Sequence, residues 1–398
     1  MAARAPISAA DAAAPQPGPI LLLSWAHFLN DGAANYLPGV LPAVLVALGL
    51  PVGYAGVLMG VLIAGQALQP VVGALADRHG GRVLLVGGLG AATLAAASVG
   101  VAPNLAWLLV ALAFTGLGNA CFHPPAMAGA RRLARGTGER ALSVFSVGGE
   151  LGRGLWPLVA SLLVAARGLS ALWLLALPGV LTLPSLWRRA SAPPRRAEPV
   201  AAFGEMRRAG GSLAALVGYS ALRSVLIIAV TTFVPLLWQA RGGSLVGGAG
   251  LITVMLVVGV GGNYGGALLA ARAGRRRVVA GASAAACLLL VAFLRSTGLA
   301  AWLAIAGFGV AAFATLPLTI VMGQDLLPRA TSLASGLALG FANSLGALGV
   351  AVLGLGAAHW GARGELWAAE FAGLCALALA FALPAASPAP PLPGGASR

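Results

Sequence analysis

The stretch Gly73-Ala-Leu-Ala-Asp77-Arg78-His79-Gly80-Gly81-Arg82 lies between two long apolar runs and decides the fold class. A similar stretch follows about half a chain later, at Gly266-Ala-Leu-Leu-Ala-Ala-Arg272-Ala-Gly274-Arg275, with Ala270 in the place of Asp77. Charge near a membrane is tolerated only where water, a partner or a cavity receives it. The repeated charged turn therefore predicts a duplicated bundle of membrane-spanning helices, which is how many secondary transporters are built.

The composition is that of a membrane protein. Hydrophobic residues make up 59% of the chain and charged residues 9%, whereas a soluble domain is typically about 25% charged. The chain also holds 57 glycines, and small residues let helices approach closely in lipid. A length of 398 residues leaves room for about twelve spans of about 20 residues each, joined by short loops.

The net charge of +15 comes from arginine, since the chain contains no lysine. Nineteen of the 25 basic residues fall in segments predicted to lie on one side of the membrane, four on the other and two inside apolar runs. Positive residues collect on the cytoplasmic side, so the asymmetry predicts cytoplasmic termini and argues against a nucleic-acid partner. A phosphate-binding loop needs a lysine, so we expect no ATP-driven mechanism.

Twelve apolar runs are each long enough to cross about 30 Å of hydrocarbon at about 1.5 Å per residue. They fall near residues 20–48, 54–76, 82–102, 105–127, 141–166, 169–187, 212–239, 247–270, 278–295, 299–324, 330–358 and 365–384. The polar segment 189–211 divides them six and six, which predicts a cytoplasmic linker. The predicted fold is an all-α membrane protein of twelve transmembrane helices in two six-helix bundles, 19–188 and 212–384. Disordered tails are predicted at 1–18 and 385–398.

Four ionisable residues lie far inside these runs. Counted from the predicted cytoplasmic ends, Asp31 and Arg223 are about 16 Å deep, and Glu150 and Arg153 are about 14 and 18 Å deep. Isolated charges at such depth are costly, so these side chains are expected to face one another or a wet cavity. A common level halfway through a bundle is where transporters bind substrate and coupling ions.

His27, Asp31 and Asn35 follow i, i+4, i+8 spacing and share one helical face, with Asn30 beside them. We interpret Asp31 as the group that takes up and releases a coupled proton, with His27 on the path to the cytoplasm. Asn30 and Asn35 are candidates for substrate binding. The alternative is that the Asp31 carboxylate only hydrogen-bonds a neighbouring helix.

Glu150 and Arg153 are three residues apart on one predicted helix and could simply neutralise each other. In the other interpretation Glu150 takes part in proton coupling. Arg153, or Arg223 from the opposite half, would then bind an anionic substrate group through forked hydrogen bonds.

Several uncharged or weakly basic residues are further candidates for substrate contact. Thr115, Asn119 and His123 repeat at i, i+4, i+8, with His123 predicted near the cytoplasmic end of its span. Asn263, Tyr264 and Asn343 are the corresponding candidates in the second half. Hydrogen bonding between helices explains these residues about as well as substrate binding does.

Metal and cofactor chemistry is not expected. The three cysteines, Cys121, Cys287 and Cys375, lie far apart in apolar runs and show neither metal-ligand spacing nor a disulfide pattern. No convincing set of nucleophile and base is present, which argues against a membrane-embedded enzyme.

The charged turn suggests a gate built from Gly73, Asp77, Arg78, Gly80 and Arg82. Its glycines allow close backbone approach, and Asp77 can meet a helix N-terminus or an arginine and hold the cytoplasmic side shut. Such a contact gives an element with two states. A purely structural turn is the alternative.

Several motifs of the chain resemble those of a known family. The turn at 73–82 resembles the signature between helices two and three of the major facilitator superfamily. Three stretches are similar, more narrowly, to exporters of the fosmidomycin-resistance type: His27-Phe-Leu-Asn30-Asp31, Gly116-Leu-Gly-Asn-Ala-Cys-Phe122-His123-Pro124 and Gln324-Asp325-Leu-Leu-Pro328. The resemblance covers nearly all of the chain between residues 20 and 384.

The chain also departs from that family pattern. Pro125 stands where an acidic residue tends to follow His-Pro, and Trp156 replaces a glycine before Pro157. Glu150 and Arg153 occupy positions where the family tends to have asparagine and a small residue. The second copy of the turn has lost its acidic residue, so its gating role is open.

The resemblance implies proton-driven export of a small anionic or amphiphilic compound across a bacterial inner membrane. Alternating access would come from rocking 19–188 against 212–384. The implied partners are the substrate, protons and the lipid bilayer, with one chain holding a complete pathway and acting as a monomer. Uptake of an organic anion by symport is an open alternative. A non-transporting receptor would be expected to carry a long soluble domain or extended loops, and the sequence shows neither.

Overall fold

The computed structural model describes residues 17–134, 139–189, 202–328 and 330–384. Within these ranges the regular structure is entirely helical. The α-helices are α1 Pro17–Asn35, α2 Leu37–Ala47, α3 Tyr54–Ala64, α4 Gln69–His79, α5 Arg82–Ser98, α6 Leu105–Ala134, α7 Glu139–Arg167, α8 Ala176–Arg189, α9 Ala202–Ala240, α10 Leu245–Ala273, α11 Arg275–Arg295, α12 Gly298–Ala314, α13 Leu316–Leu326, α14 Thr331–Gly336, α15 Ala342–Gly354 and α16 Ala357–Ala380.

Helical segments coincide with each of the twelve predicted apolar runs, and four of those runs are divided into two helices. The first run breaks at Tyr36, where Pro38 lies in the first turn of α2 and fits there because that position needs no backbone donor. The buried Tyr36 hydroxyl donates to the Ala96 carbonyl at 2.9 Å, which ties this break to α5. The run that contains α14 and α15 passes through a π-helical turn at Leu337–Phe341.

Within the described ranges, nine helical segments are long and apolar enough to cross a membrane. The first, fifth and twelfth predicted runs fall short of that standard. These three hold buried or half-buried ionisable residues, including Asp31 in α1, Glu150 in α7 and Glu370 in α16, which lower their mean hydropathy. Polar groups in such segments mark functional positions by default. The count of twelve spans and the cytoplasmic position of the termini remain predictions.

The described chain forms two compact units. One comprises Met1–Glu198 with Pro235–Thr253, and the other Pro199–Val234 with Val254–Arg398. Helix α9 begins at Ala202, inside the predicted linker 189–211, and residues 190–201 lie outside the described part. The predicted tails also lie outside it, apart from residues 17 and 18, which begin α1. The predicted bundle boundaries stay a prediction.

Close helix packing in the first unit brings α1 and α2 against α7. Gly148 and Gly152 lie against the backbone carbonyls of Ser24 and Phe28. Gly39 of α2 lies against the carbonyl of Pro157 in the same way. Small residues at such crossings let two backbones approach more closely than larger side chains would allow. This contact places the polar face of α1 beside α7.

Close packing in the second unit also relies on small residues. Gly346 of α15 lies against Ser224 of α9, and Gly373 of α16 against Cys287 of α11. The Tyr219 hydroxyl and the Ser283 hydroxyl are 2.9 Å apart, which joins α9 to α11 through a buried hydrogen bond. A polar contact of this kind satisfies groups that lipid cannot.

Candidate functional site

His27 is fixed between α1 and α7. Its Nδ1 lies 2.9 Å from the Phe145 carbonyl oxygen, and its ring stacks on the Phe145 ring with centroids 4.1 Å apart. Only 7% of His27 is exposed. The ring fits because residue 149 is a glycine, whose missing side chain leaves room for the imidazole.

Asp31 lies between two histidines. Its Oδ2 is 3.4 Å from Nε2 of His27, and its Oδ1 is 3.2 Å from Nε2 of His123. His123 comes from α6, and its Nδ1 lies 3.0 Å from the Asn119 carbonyl oxygen. Asp31 is 7% exposed and His123 is half-buried. The contact places His123 beside Asp31. Its position near the cytoplasmic end of its span stays a prediction.

The backbone partners fix which ring nitrogens carry hydrogen. A carbonyl oxygen only accepts, so Nδ1 of both His27 and His123 must be the donor. The Nε2 atoms, which face Asp31, then carry hydrogen only when the ring is charged. A neutral ring presents a lone pair to the carboxyl group instead.

This arrangement can be counted in protons. Each of the two Nε2–oxygen contacts of Asp31 needs one proton to become a hydrogen bond. Two protons satisfy both contacts and leave the cluster with a net charge of +1. With one proton the cluster is neutral, and in one of the two contacts a lone pair of the histidine nitrogen faces a lone pair of the carboxylate oxygen. The His27–Asp31–His123 cluster is therefore able to gain and lose a proton with a change in its own bonding.

The cluster also contains two types of side-chain group that can bind a transition metal, imidazole and carboxylate. Imidazole and carboxylate atoms from His27, Asp31 and His123 all lie within 4.8 Å of one another. The expectation that the protein holds no metal or cofactor therefore stays a prediction.

The two asparagines of α1 serve different contacts. The Asn30 amide nitrogen lies 3.3 Å from Oδ1 of Asp31, while its Oδ1 is buried without a hydrogen-bond partner. The Asn35 amide donates to the Asp31 backbone carbonyl at 2.8 Å. Asn30 thus contacts the His27–Asp31–His123 cluster, and Asn35 closes the end of α1.

Glu150 and Arg153 form an ion pair at 2.6 Å, with each side chain 30% exposed. This geometry is the neutralising pair considered from the sequence. Arg153 is also close enough to His123 for an electrostatic interaction. A second charged pair thus adjoins the Asp31 cluster within the same unit.

Arg223 belongs to the second unit and is 5% exposed. Its Nη1 donates to the Thr315 hydroxyl at 3.4 Å, and its Nε has no hydrogen-bond partner. The Ser220 hydroxyl, one turn earlier on α9, is also buried without a partner. No ion pair within the described ranges includes Arg223. The idea that it converges with the charges of the first unit stays a prediction.

The remaining candidates for substrate contact are dispersed. Asn119 is buried and contributes its backbone to His123. Asn263 is half-buried, with its Oδ1 lacking a partner, whereas Tyr264 beside it is 72% exposed. Asn343 is half-buried in α15. Substrate binding by these four residues stays a prediction.

The charged turn at 73–82 ends α4 and begins α5. Gly80 closes α4 with a φ of 86°, a conformation that only glycine adopts readily. Gly73 is not in tight contact, since a Cβ added there would lie 3.6 Å from the Pro124 side chain. Arg82 stacks over the Trp187 ring at 5.9 Å. Arg78 is exposed and Asp77 is half-buried. No ion pair within the described ranges includes Asp77, so the expected contact between Asp77 and an arginine is not formed in this structure.

The second copy of the turn has an acidic partner from elsewhere. Gly274 precedes α11 with a φ of 85°, which matches Gly80. Arg275 forms an ion pair with Asp325 of α13, whereas position 270 of the turn itself is an alanine. Gln324 beside it donates to the Ser335 hydroxyl at 3.0 Å. Through these two contacts, Gln324 and Asp325 connect α13 to α14 and to α11.

Sequence reasoning missed two buried acidic residues, Glu365 and Glu370 of α16. Both fall near the start of the last predicted apolar run. The available signal was the one used for Asp31, namely an acidic residue within a segment that is otherwise apolar.

Comparison with known proteins identifies the family. The model of the Major Facilitator Superfamily matches residues 23–352. The fosmidomycin resistance protein of Escherichia coli (strain K12) is 28% identical over 354 residues, which cover 85% of this chain and 86% of that one. The uncharacterized MFS-type transporter YfnC of Bacillus subtilis (strain 168) is 29% identical over 156 residues, and the match spans only 38% of its length.

Solved structures show the same fold at low sequence identity. A bacterial homologue of the human lysosomal transporter Spinster, inward-facing and occupied, has a TM-score of 0.77 and 17% identity, covering 93% of this chain and 97% of that one. The nucleoside transporter NupG has a TM-score of 0.74 and 14% identity, covering 92% of this chain and 97% of that one. With the family model matching most of its length, the chain is a secondary transporter, not an enzyme, and it belongs to the major facilitator superfamily.

Proposed function

We propose that this protein is a proton-coupled transporter that exports a small anionic or amphiphilic compound by alternating access. The observation that carries the proposal is the buried His27–Asp31–His123 cluster, in which two histidines flank one carboxyl group. A proton relay in a membrane protein is built from such acidic and histidine side chains.

The cluster supports coupling because its protonation changes its charge and its bonding together. With two protons it carries one positive charge and both contacts to Asp31 are hydrogen bonds. With one proton it is neutral, and one contact becomes repulsive. A conformational change that follows from this difference would expose the cluster to one side of the membrane at a time. Glu150, paired with Arg153, is a candidate for passing the proton onward.

Arg223 supports an anionic substrate. A buried guanidinium without an acidic partner is costly unless an anion neutralises it during the transport cycle. Its Nε and the Ser220 hydroxyl lie one turn apart on α9, and both are donors without acceptors. A carboxylate, phosphate or phosphonate group could accept from both. Arg153 is a weaker candidate, because Glu150 already neutralises it.

The relative from E. coli favours export over uptake as the direction of transport, because its name records resistance to fosmidomycin. It aligns with 85% of this chain. We further propose that the protein lies in the bacterial inner membrane with twelve spans and cytoplasmic termini, and that it acts as a monomer. The turns at Gly80 and Gly274 would form cytoplasmic gates. In the second gate, the Arg275–Asp325 pair would hold the closed state.

The test uses everted vesicles from cells that express the protein. After a pH gradient is established, a panel of anionic antibiotics and metabolites, with fosmidomycin included, is added one compound at a time. At least one anion is expected to dissipate the gradient through the wild-type protein but not through Asp31→Asn. Glu205→Gln, in the predicted linker, is the control for loss of an acidic residue away from the cluster.

Two results would contradict the proposal. In one, no anion in the panel moves protons through correctly inserted wild-type protein. In the other, intact cells accumulate the active compound along with protons, which is the behaviour of the uptake symporter.

A further inference from the structure

Helix α16 carries two acidic residues that the proposed mechanism does not use. Glu365 is 1% exposed and Glu370 is 5% exposed. The helix turns sharply at Gly361, where φ is 64°, and continues to Ala380. Glu370 lies nine residues beyond that turn, about 13 Å along the axis, and Glu365 lies about 7.5 Å before Glu370. Both belong to the second unit.

These carboxyl groups lack the partners that a charged form needs. Both oxygens of Glu365 and Oε2 of Glu370 are buried without a hydrogen-bond partner. No ion pair within the described ranges includes either residue. An ionised carboxylate without a partner is costly in apolar packing, and such a group stays neutral by holding a proton.

The surroundings of Glu370 are weakly polar. The Cys287 thiol of α11 is close enough to its carboxyl group for the two to interact electrostatically. Cys287 packs over Gly373, where an added Cβ would lie 3.0 Å from the sulfur and 3.0 Å from Leu226 of α9. A thiol is a weak donor, so it can orient a neutral acid but cannot neutralise a carboxylate.

Charged groups on the neighbouring helices lie at a distance or are engaged elsewhere. On α11, the closest arginines in sequence to Cys287 are Arg295 and Arg277, about 12 and 15 Å away along the helix. Helix α15 carries no ionisable residue. On α9, Tyr219 and Arg223 contact Ser283 and Thr315. On α16 itself, Arg363 precedes both acids and is exposed.

We propose that α16 holds a second set of proton-binding carboxyls, Glu370 beside Cys287 and Glu365 five residues earlier on the helix, separate from the His27–Asp31–His123 cluster. Each carboxyl group binds a proton while the packing is dry. Each releases that proton to water when the helix surroundings open during the transport cycle. This inference rests on the proposed proton-coupled function. A purely structural acid would behave like its neutral isostere, glutamine.

The first arm of the test labels purified full-length protein with N,N′-dicyclohexylcarbodiimide, an apolar reagent that adds to protonated carboxyls. Peptide mass spectrometry then locates the adduct. At neutral pH we expect adducts on the peptide that contains Glu365 and Glu370, and loss of labelling as pH rises. Glu370→Gln should remove only its own adduct, and the exposed Asp325 should stay unlabelled. Absence of α16 labelling in the wild-type protein would overturn the proposal, and this result does not depend on any variant folding.

The second arm measures protons moved per substrate in proteoliposomes, with the anion found active in everted vesicles. Glu365→Gln/Glu370→Gln should lower this ratio while Glu205→Gln, in the predicted linker, leaves it unchanged. An unchanged ratio in the double variant, with labelling present, would overturn the role in coupling. If the wild-type protein moves no protons but α16 is labelled, the coupled function fails while proton binding at α16 is upheld.

Discussion

Gly149 of α7 lies directly against the imidazole ring of His27 of α1, and a Cβ at position 149 would overlap that ring. The missing side chain lets His27 donate to the Phe145 carbonyl and direct its other nitrogen toward Asp31. The orientation of a proposed proton carrier thus depends on a glycine in a neighbouring helix.

Gly149→Ala is expected to push His27 away from Asp31. Overpacking of this kind typically costs about 1–3 kcal/mol, because the neighbouring helices must shift. We expect lower thermal stability in detergent and loss of transport driven by a pH gradient. Gly87→Ala in α5 is the matched control, since nothing lies within 4 Å of a Cβ there. Equal behaviour of the two variants would show that His27 does not need this space.

His123→Gln should weaken coupling without abolishing substrate exchange. The substitution removes one of the two groups that share protons with Asp31, so the cluster loses one of its contacts. The pH dependence of transport, measured in proteoliposomes, should shift relative to wild type. His79→Gln provides the control, because that histidine is exposed at the end of α4. A pH profile identical to wild type would remove His123 from the proposed cluster.

Arg223→Lys should weaken binding of the transported anion by about 10-fold or more, since a lost charge-assisted hydrogen bond is worth about 1.5–3 kcal/mol. Binding is measured by isothermal titration with the purified protein. Arg295→Lys, an exposed change at the end of α11, should leave the affinity unchanged. Arg153→Lys should have a smaller effect than Arg223→Lys, because Arg153 is paired with Glu150. Unaltered affinity in Arg223→Lys would assign that arginine a structural role.

Gly80→Ala and Gly274→Ala should destabilise the protein by similar amounts. Both glycines have a ψ of 144° and a φ of 86° or 85°, a region that other residues enter at a cost of about 1–3 kcal/mol. Thermal unfolding in detergent compares the two variants directly. A large difference between them would mean that the two turns, despite matching backbones, are not equivalent in stability.

The helical pattern and the contact between His27 and Asp31 could be predicted from the sequence, because both are properties of one chain segment. Hydrophobic runs follow from the thickness of the bilayer, and i, i+4 spacing places His27 and Asp31 on one face. The Glu150–Arg153 contact is likewise local, and the structure forms that pair.

Contacts between helices could not be predicted in the same way. The approach of His123 to Asp31 depends on how α6 packs against α1, and the Arg275–Asp325 pair on how α11 packs near α13. Counting residues along a span measures depth only along its own axis and does not show which residues of two helices meet. The sequence also shows Glu370 as an acidic residue within an apolar segment. That its carboxyl group is buried without a hydrogen-bond partner is visible only in the three-dimensional structure.

The most direct test of the central claim compares two fluxes in proteoliposomes that contain Asp31→Asn. One is substrate movement driven by a pH gradient, and the other is exchange of labelled for unlabelled substrate with no gradient. Our account predicts that gradient-driven movement is lost while exchange persists, because asparagine keeps the size of Asp31 but cannot bind the coupled proton. Gradient-driven movement at the wild-type rate would contradict it.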